Sequence, residues 1–236
     1  MLALPENEVH LYWLESETAA VGEQWLGLLS AEERARHSRF LFEKDRRIFL
    51  LAHAMARLAL ARYTGGDPAS LEFDVNPYGK PFLCARAGAP CPGFNLSHTH
   101  GMVALAIGRE PDVGVDVEDT ARAGDWARLA GNVFTEEERT GLGRLPPAER
   151  QRRFYELWTL KEAYIKARGM GLSIPLDGFS MRMPENGPIG IQFGTAVADD
   201  AAVWQFEMFA IATFRLALAI RARDRRKWTV RLLAGG

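Results

Sequence analysis

Over residues 30–63 apolar positions recur at helical spacing, with Phe49, Leu50, Ala54, Leu58 and Ala61 on one stripe and Arg57 among them. Ser30 can cap this segment, and Glu32 and Glu33 fall in its first turn, where negative charge suits a helix start. Gly65 and Gly66 end it, so the spacing predicts a helix over 30–63. Short apolar runs at 71–75, 81–84, 102–107 and 113–117 are bounded by turn residues and predict strands; Asn76, Pro77, Tyr78 and Gly79 make the turn between the first two. After Glu118 comes a polar stretch broken by Gly141, Gly143, Pro146 and Pro147. A second helix is predicted over about 149–168, where Phe154, Leu157, Trp158 and Ile165 form its apolar stripe. Beyond Gly169 and Gly171 the pattern returns to strands at 179–183, 189–193, 203–210 and 215–221.

Helices and strands are therefore grouped with no regular βαβ alternation, which favours an α+β fold. Helix followed by strands occurs twice, and MVALAI at 102–107 is similar to RLALAI at 215–220. Either the chain carries an internal duplication, or two buried strands share a composition.

Composition narrows the function classes. With 29 basic and 30 acidic residues among 236, the net charge is −1, so a global nucleic-acid binder is not indicated and any anion site is local. No Lys or Arg precedes Arg34, so the basic head of a secretory signal is missing. The longest apolar runs are cut by residues such as Arg57 and Arg62, well short of a bilayer span, and a cytoplasmic protein is expected. Cys84 and Cys91 form no C-x-x-C pair, so free thiols are expected rather than a zinc site.

Four clusters could carry chemistry. In GVDVE at 114–118, strand alternation sends Asp116 and Glu118 to one face and Val115 and Val117 to the other. That is either an edge strand with a solvated acidic face, or an oxygen-ligand site suited to Mg²⁺. In WTLKEAYIK at 158–166, Glu162 and Lys166 lie one helical turn apart and could be a surface ion pair, but they sit beside Trp158 and Tyr164. With Lys161 they complete a set of three carboxylates for a cation and two ammonium groups for a polyanion. In FNLSH at 94–98, Ser97 and His98 could contact an anion or serve a structural role with Asn95; His98 and His100 lack a third soft ligand for zinc. The turn NPYGKP at 76–81 presents Lys80, and Arg36, Arg39, Lys44, Arg46 and Arg47 make a basic run.

In this order and spacing, NPYGKP, FNLSH, GVDVE and WTLKEAYIK, continued by GMGLSIPL at 169–176, resemble the signatures of the surfactin-type 4′-phosphopantetheinyl transferases. The resemblance spans about 140 residues and leaves the first 30 residues and the tail after about Phe193 without signature. It implies two pseudo-symmetric α/β halves, 1–110 and 111–236, with the active site in the cleft between them, in a monomer. By similarity, Asp116, Glu118 and Glu162 hold Mg²⁺, and Lys161 and Lys166 lie near the pyrophosphate or the nucleophile; the serine proton goes either to Glu162, directly or through a water, which is the favoured reading, or to metal-bound water. Lys80, Ser97 and His98 bind coenzyme A, and Arg36 and Arg39, with Arg47, meet its 3′-phosphate. Where relatives often carry a basic or hydroxyl residue after the Asp-Arg-Arg run, this chain has Ile48 and Phe49.

The implied reaction is attack of a carrier-protein serine on the β-phosphate of coenzyme A, releasing 3′,5′-adenosine diphosphate. Acyl or peptidyl carrier domains are the expected partners, without nucleic acid or membrane. A segment carrying Phe134, Arg122, Arg128, Arg139 and Arg144 is the expected docking surface. Two competing readings use the same residues: a magnesium-dependent nucleotide pyrophosphatase, with water as nucleophile, and a non-catalytic protein that binds coenzyme A or a carrier.

Overall fold

In the computed structural model, which describes residues 1–84, 91–109, 112–222 and 226–234, the predicted helix over 30–63 is two helices. They are α1 (Ala31–Ser38) and α2 (Glu43–Thr64). Ser30 caps α1 reciprocally: its hydroxyl accepts from the Glu33 N–H at 3.1 Å, and its own N–H donates to Glu33 at 2.7 Å. The break falls before Phe42, whose backbone is extended (φ −98°, ψ 138°). Phe40 turns inward there against Phe49, ring centroids 5.3 Å apart, and Arg46 donates to the Phe40 carbonyl at 2.9 Å. Periodicity cannot reveal such a break because α1 buries no residue of its own. Gly65 ends α2 in the left-handed region (φ 70°), where a Cβ would be strained.

Strands β1 (Glu8–Glu15), β4 (Gly93–Thr99) and β5 (Met102–Gly108) join β11 (Thr229–Ala234) in a sheet of order β11-β1-β5-β4, with β11 parallel to β1. A second sheet, β6-β10-β9, is antiparallel and contains β6 (Val113–Asp119), β9 (Trp204–Ile211) and β10 (Phe214–Arg221). Two small hairpins complete the strands: β2 (Phe73–Val75) with β3 (Pro81–Leu83), and β7 (Phe179–Arg182) with β8 (Gly190–Phe193). The polar stretch after Glu118 holds α3 (Trp126–Val133) and α4 (Glu136–Arg144), and the predicted second helix is α5 (Pro147–Arg168). The expected division at 110/111 falls outside the described residues.

Alternation along the central strands fixes the layers. Val103, Leu105 and Ile107 of β5 pack on α2, while Met102, Ala104 and Ala106 face the second sheet. Leu216, Leu218 and Ile220 of β10 meet them, and Ala217 and Ala219 face α5. The order across the molecule is helix, sheet, sheet, helix. Each fully buried Val, Leu or Ile in the middle layer stabilises by about 1.5–3 kcal/mol. Strands β1 and β11 go beyond the sequence pattern; β1 carries a fully buried His10, whose Nδ1 lies 2.6 Å from the Tyr63 hydroxyl, and this polar residue interrupts its apolar signal. Both cysteines are free. No helix among the described residues is long and apolar enough to cross a membrane.

Candidate active site

The site is built where β6 meets α5. Val113, Val115 and Val117 enter the core between the sheets, so Gly114, Asp116 and Glu118 face the helix. At Gly114 the two backbones nearly touch: an added Cβ would lie 2.1 Å from the Ala163 carbonyl oxygen and 2.3 Å from the Ala167 nitrogen. That closeness brings the α5 stripe Trp158, Glu162, Lys166, spaced one turn apart, over the β6 carboxylates. Trp158 Nε1 donates to Glu118 Oε1 at 3.1 Å, and Lys166 Nζ donates to Asp116 Oδ1 at 2.5 Å.

Strand β4 contributes from the other sheet. Asn95 accepts the Val115 N–H at 2.8 Å, tying β4 to β6 by a side chain where no ladder joins them. Two residues on, Ser97 donates to Asp116 Oδ1 at 2.9 Å and accepts from Lys166 at 2.8 Å. The sequence element FNLSH thus has a structural residue, Asn95, and a site residue, Ser97.

The carboxylates are crowded and incompletely satisfied. Asp116 Oδ2 and Glu118 Oε2 are buried and accept no hydrogen bond among the described residues; Arg122 stands 3.7 Å from the latter, beyond bonding reach. Burial and then the charge of Asp116 push the Glu118 carboxyl up to about 7, against the opposing pull of Trp158, Arg122 and Lys166. Burial and Asp116 also raise Glu162, with Lys166 opposing. Asp116 is therefore felt by both glutamates. As the side chains stand, no three His, Cys, Asp or Glu residues among those described converge as a ready cation cage. Lys166 takes the Asp116 oxygen a cation would share.

Beside this cluster opens a cavity of about 800 Å³, lined among others by Arg36, Lys44, Arg47, His53, His98 and Glu118. A smaller opening of about 270 Å³ holds Glu162, Lys166 and Lys80 with Tyr78 and Leu172. Asp116, Glu118, Glu162, Lys166 and Ser97 are thus brought together, and His98 and Arg36 line the adjoining cavity. Arg47 lines it too, but its guanidinium donates to the carbonyls of Ser16 at 2.8 Å and Ala19 at 2.6 Å. Arg39 is exposed at the end of α1, outside the cavity. Lys80 lies apart from Arg36 and His98; its ammonium donates to Val113 O at 3.1 Å and Ala167 O at 3.0 Å, and burial, opposed by Asp112, brings its pKa down to about 8. With Asn76, which donates to Gly169 O at 2.7 Å, it clamps the end of α5 to β6.

Two expectations are corrected by burial. Lys161 does not reach the cluster: its side chain is fully buried on the opposite side of α5, paired with Glu138 at 2.8 Å and donating to Leu176 O at 2.6 Å and Phe179 O at 2.5 Å. Phe134 cannot be a docking residue, since it is fully buried beneath the Lys161 ammonium. Adjacent helix positions point apart, so Glu162 and Lys161 could not both face β6. Sequence reasoning missed the tasks of Gly114 and the Trp158 indole, whereas Asn95 takes the structural role left open for FNLSH. A Gly opening an acidic strand motif is the signal that could have suggested a close helix.

Comparison with known proteins bears on this arrangement. Residues 17–110 match the family described as 4′-phosphopantetheinyl transferase, N-terminal, and residues 112–219 match the 4′-phosphopantetheinyl transferase superfamily. A 4′-phosphopantetheinyl transferase of Bacillus subtilis is 34% identical over 175 residues, covering 74% of this chain and 75% of its own. The 4′-phosphopantetheinyl transferase HetI of Nostoc is 35% identical over 73% of each chain. The 4′-phosphopantetheinyl transferase Sfp of Bacillus subtilis is 32% identical over 72% of this chain and 73% of its own.

Proposed function

This chain belongs to the 4′-phosphopantetheinyl transferases, of the surfactin type, and we propose that its donor is coenzyme A and its metal Mg²⁺. It transfers phosphopantetheine to carrier proteins. The observation that carries the finer reading is the pair of buried oxygens on Asp116 and Glu118 that accept no hydrogen bond, with Glu162 on α5 within electrostatic reach of Asp116. Buried carboxylates of like charge are costly unless a cation joins them, and oxygen donors of this kind suit Mg²⁺. Asp116, Glu118 and Glu162 would hold it. Bound there, the ion supplies Lewis acidity and charge neutralisation to a diphosphate.

The chain's own residues do the rest. The bond formed is from the carrier serine oxygen to the β-phosphorus of coenzyme A; the bond broken is from that phosphorus to the bridging oxygen, which leaves with 3′,5′-adenosine diphosphate. Lys166, already between Ser97 and Asp116, donates to the phosphoryl oxygens where charge builds. Glu162, whose pKa burial and Asp116 raise, accepts the serine proton on a carboxylate oxygen. Ser97 fixes Asp116 and Lys166, and His98 with Arg36 faces the nucleotide in the larger cavity. Lys161 has no part in the chemistry.

We read the molecule as a cytoplasmic monomer of two pseudo-symmetric halves with the cleft at β4 and β6. Supporting this, β5 and β10 are each central in a sheet, and the helices covering them, α2 and α5, are both 22 residues long. Arg122 on the cavity rim and the exposed Arg128 and Arg144 offer cations to an acidic carrier.

The test is incubation with coenzyme A, Mg²⁺ and an apo-carrier, read as the mass gain of the carrier. Asp116→Ala should abolish the gain and leave the melting temperature within a few degrees. Full transfer by Asp116→Ala, or transfer undiminished in chelator, would reject the site.

A further inference from the structure

His53 lies on α2 one turn beyond Phe49, and its imidazole stacks on that ring with centroids 4.0 Å apart and planes 27° from parallel. Its Nδ1 is 2.9 Å from Glu33 Oε1. Burial tends to raise the Glu33 pKa, but His53, the Ser30 N–H and Arg57 outweigh it and hold the carboxyl down at about 2. An ionised carboxylate only accepts, so the proton sits on Nδ1 and Nε2 is the edge left for the cavity that His53 lines. One face of the ring and one nitrogen are thus committed to holding the other nitrogen in place. A histidine serving only the core has no need of a free edge.

The surroundings say what that edge meets. Arg36 stacks over Phe49 at 5.5 Å from its centroid, and Lys44, Arg47 and His98 line the same cavity. The charged neighbours of His53 are Glu33 and Arg36 from α1 and Arg57 from its own helix, with His98 contributed by β4. Of the cavity's carboxylates, Glu118 and Asp119 belong to β6 and Glu17 follows β1, so Asp45 in the first turn of α2 is the one lining carboxylate at the α1–α2 end, against Arg36, Lys44 and Arg47. The α1–α2 end is therefore the one suited to a dianion separate from the diphosphate at Lys166.

Resting on the reading of this cavity as the coenzyme A site, we propose that His53 is a specificity residue that reads the 3′-phosphate of the donor. In its imidazolium form the ring offers Nε2–H to a phosphate oxygen beside Arg36, a charge-assisted bond that a nucleotide without the 3′-phosphate cannot make. Glu33 and Phe49 are positioning residues for it.

The experiment is calorimetric binding of adenosine 3′,5′-bisphosphate and adenosine 5′-monophosphate to the full chain, wild type, His53→Phe and His53→Gln. His53→Phe keeps the stack on Phe49 and removes the donor; His53→Gln keeps a donor near the Nε2 position. The expected result is bisphosphate affinity about tenfold weaker in His53→Phe, monophosphate affinity unchanged, and His53→Gln intermediate. Wild-type bisphosphate affinity in His53→Phe, equal weakening for both nucleotides, or no bisphosphate binding by the wild type would overturn it. Neither carrier nor turnover enters this measurement, so a failure of transfer would count against the transferase mechanism while the His53 assignment stands or falls on the nucleotides.

Discussion

Replacing Gly114 by Ala should damage stability and catalysis together, because one methyl group separates the two walls of the site. The added Cβ would sit 2.1 Å from the Ala163 carbonyl oxygen and 2.3 Å from the Ala167 nitrogen, whereas ordinary contact begins at 3.4 Å. Both obstacles are helix backbone, so no side chain can swing aside, and α5 must retreat from β6 by on the order of 1 Å. Overpacking of this kind costs about 1–3 kcal/mol, and rigid backbone on both sides puts the estimate near the top of the range. At about 2–4 °C per kcal/mol for a chain of this size, the melting temperature should fall by roughly 6–12 °C. The same retreat withdraws Glu162 and Lys166 from Asp116 and Glu118, and a displacement of about 1 Å in such a constellation costs on the order of 100-fold in rate. Thermal unfolding by circular dichroism and the rate of carrier mass gain measure the two effects on one preparation. If Gly114→Ala melts with the wild type and transfers at its rate, the close approach is not what positions the site.

Glu33→Gln should cost on the order of 2 kcal/mol at neutral pH, since the carboxyl pKa drops from 4.5 unfolded to about 2 folded and solvent screening at this half-buried site discounts the full linkage. A depressed folded value means that this contribution is complete above about pH 4.5 and fades as pH falls towards 2, so urea melts of the two proteins should converge in acid; a gap independent of pH would disprove the linkage. Lys161→Met leaves Glu138 buried without its counter-charge and should lose about 3–5 kcal/mol, partly restored by adding Glu138→Gln. Transfer per folded molecule should change little in Lys161→Met, and a 100-fold loss in a fully folded sample would return Lys161 to the chemistry.

How far the sequence foretold this site depended on whether a residue's role is local. Alternation along 113–117 and helical spacing at 158, 162 and 166 each define a face, and the structure turns those two faces towards each other. The placement of Lys161 is not local in that sense: a Lys beside a metal-site Glu reads as functional, yet helix geometry sends it away to a core formed by α4 and β7. Phe134 was misread for a related reason, as an aromatic in a polar stretch looks exposed until α3, α4 and α5 close over it. The 30–63 helix broke where Phe40 needed to reach Phe49, a tertiary demand that overrides periodicity. His53 carried no signal at all, since its meaning lies in Glu33, twenty positions earlier.

The parallel pairing of β11 with β1 gives the protein an unusual schedule of synthesis. The outer edge of β1 offers its N–H and C=O groups from the moment it emerges, but its partner, 229–234, is made about 220 residues later. At roughly 5–20 residues per second the strand waits for on the order of ten seconds or more with that flank open, a period in which stray chains could add to it. Ribosome-bound nascent protein should therefore depend on chaperone cover more than the finished molecule does.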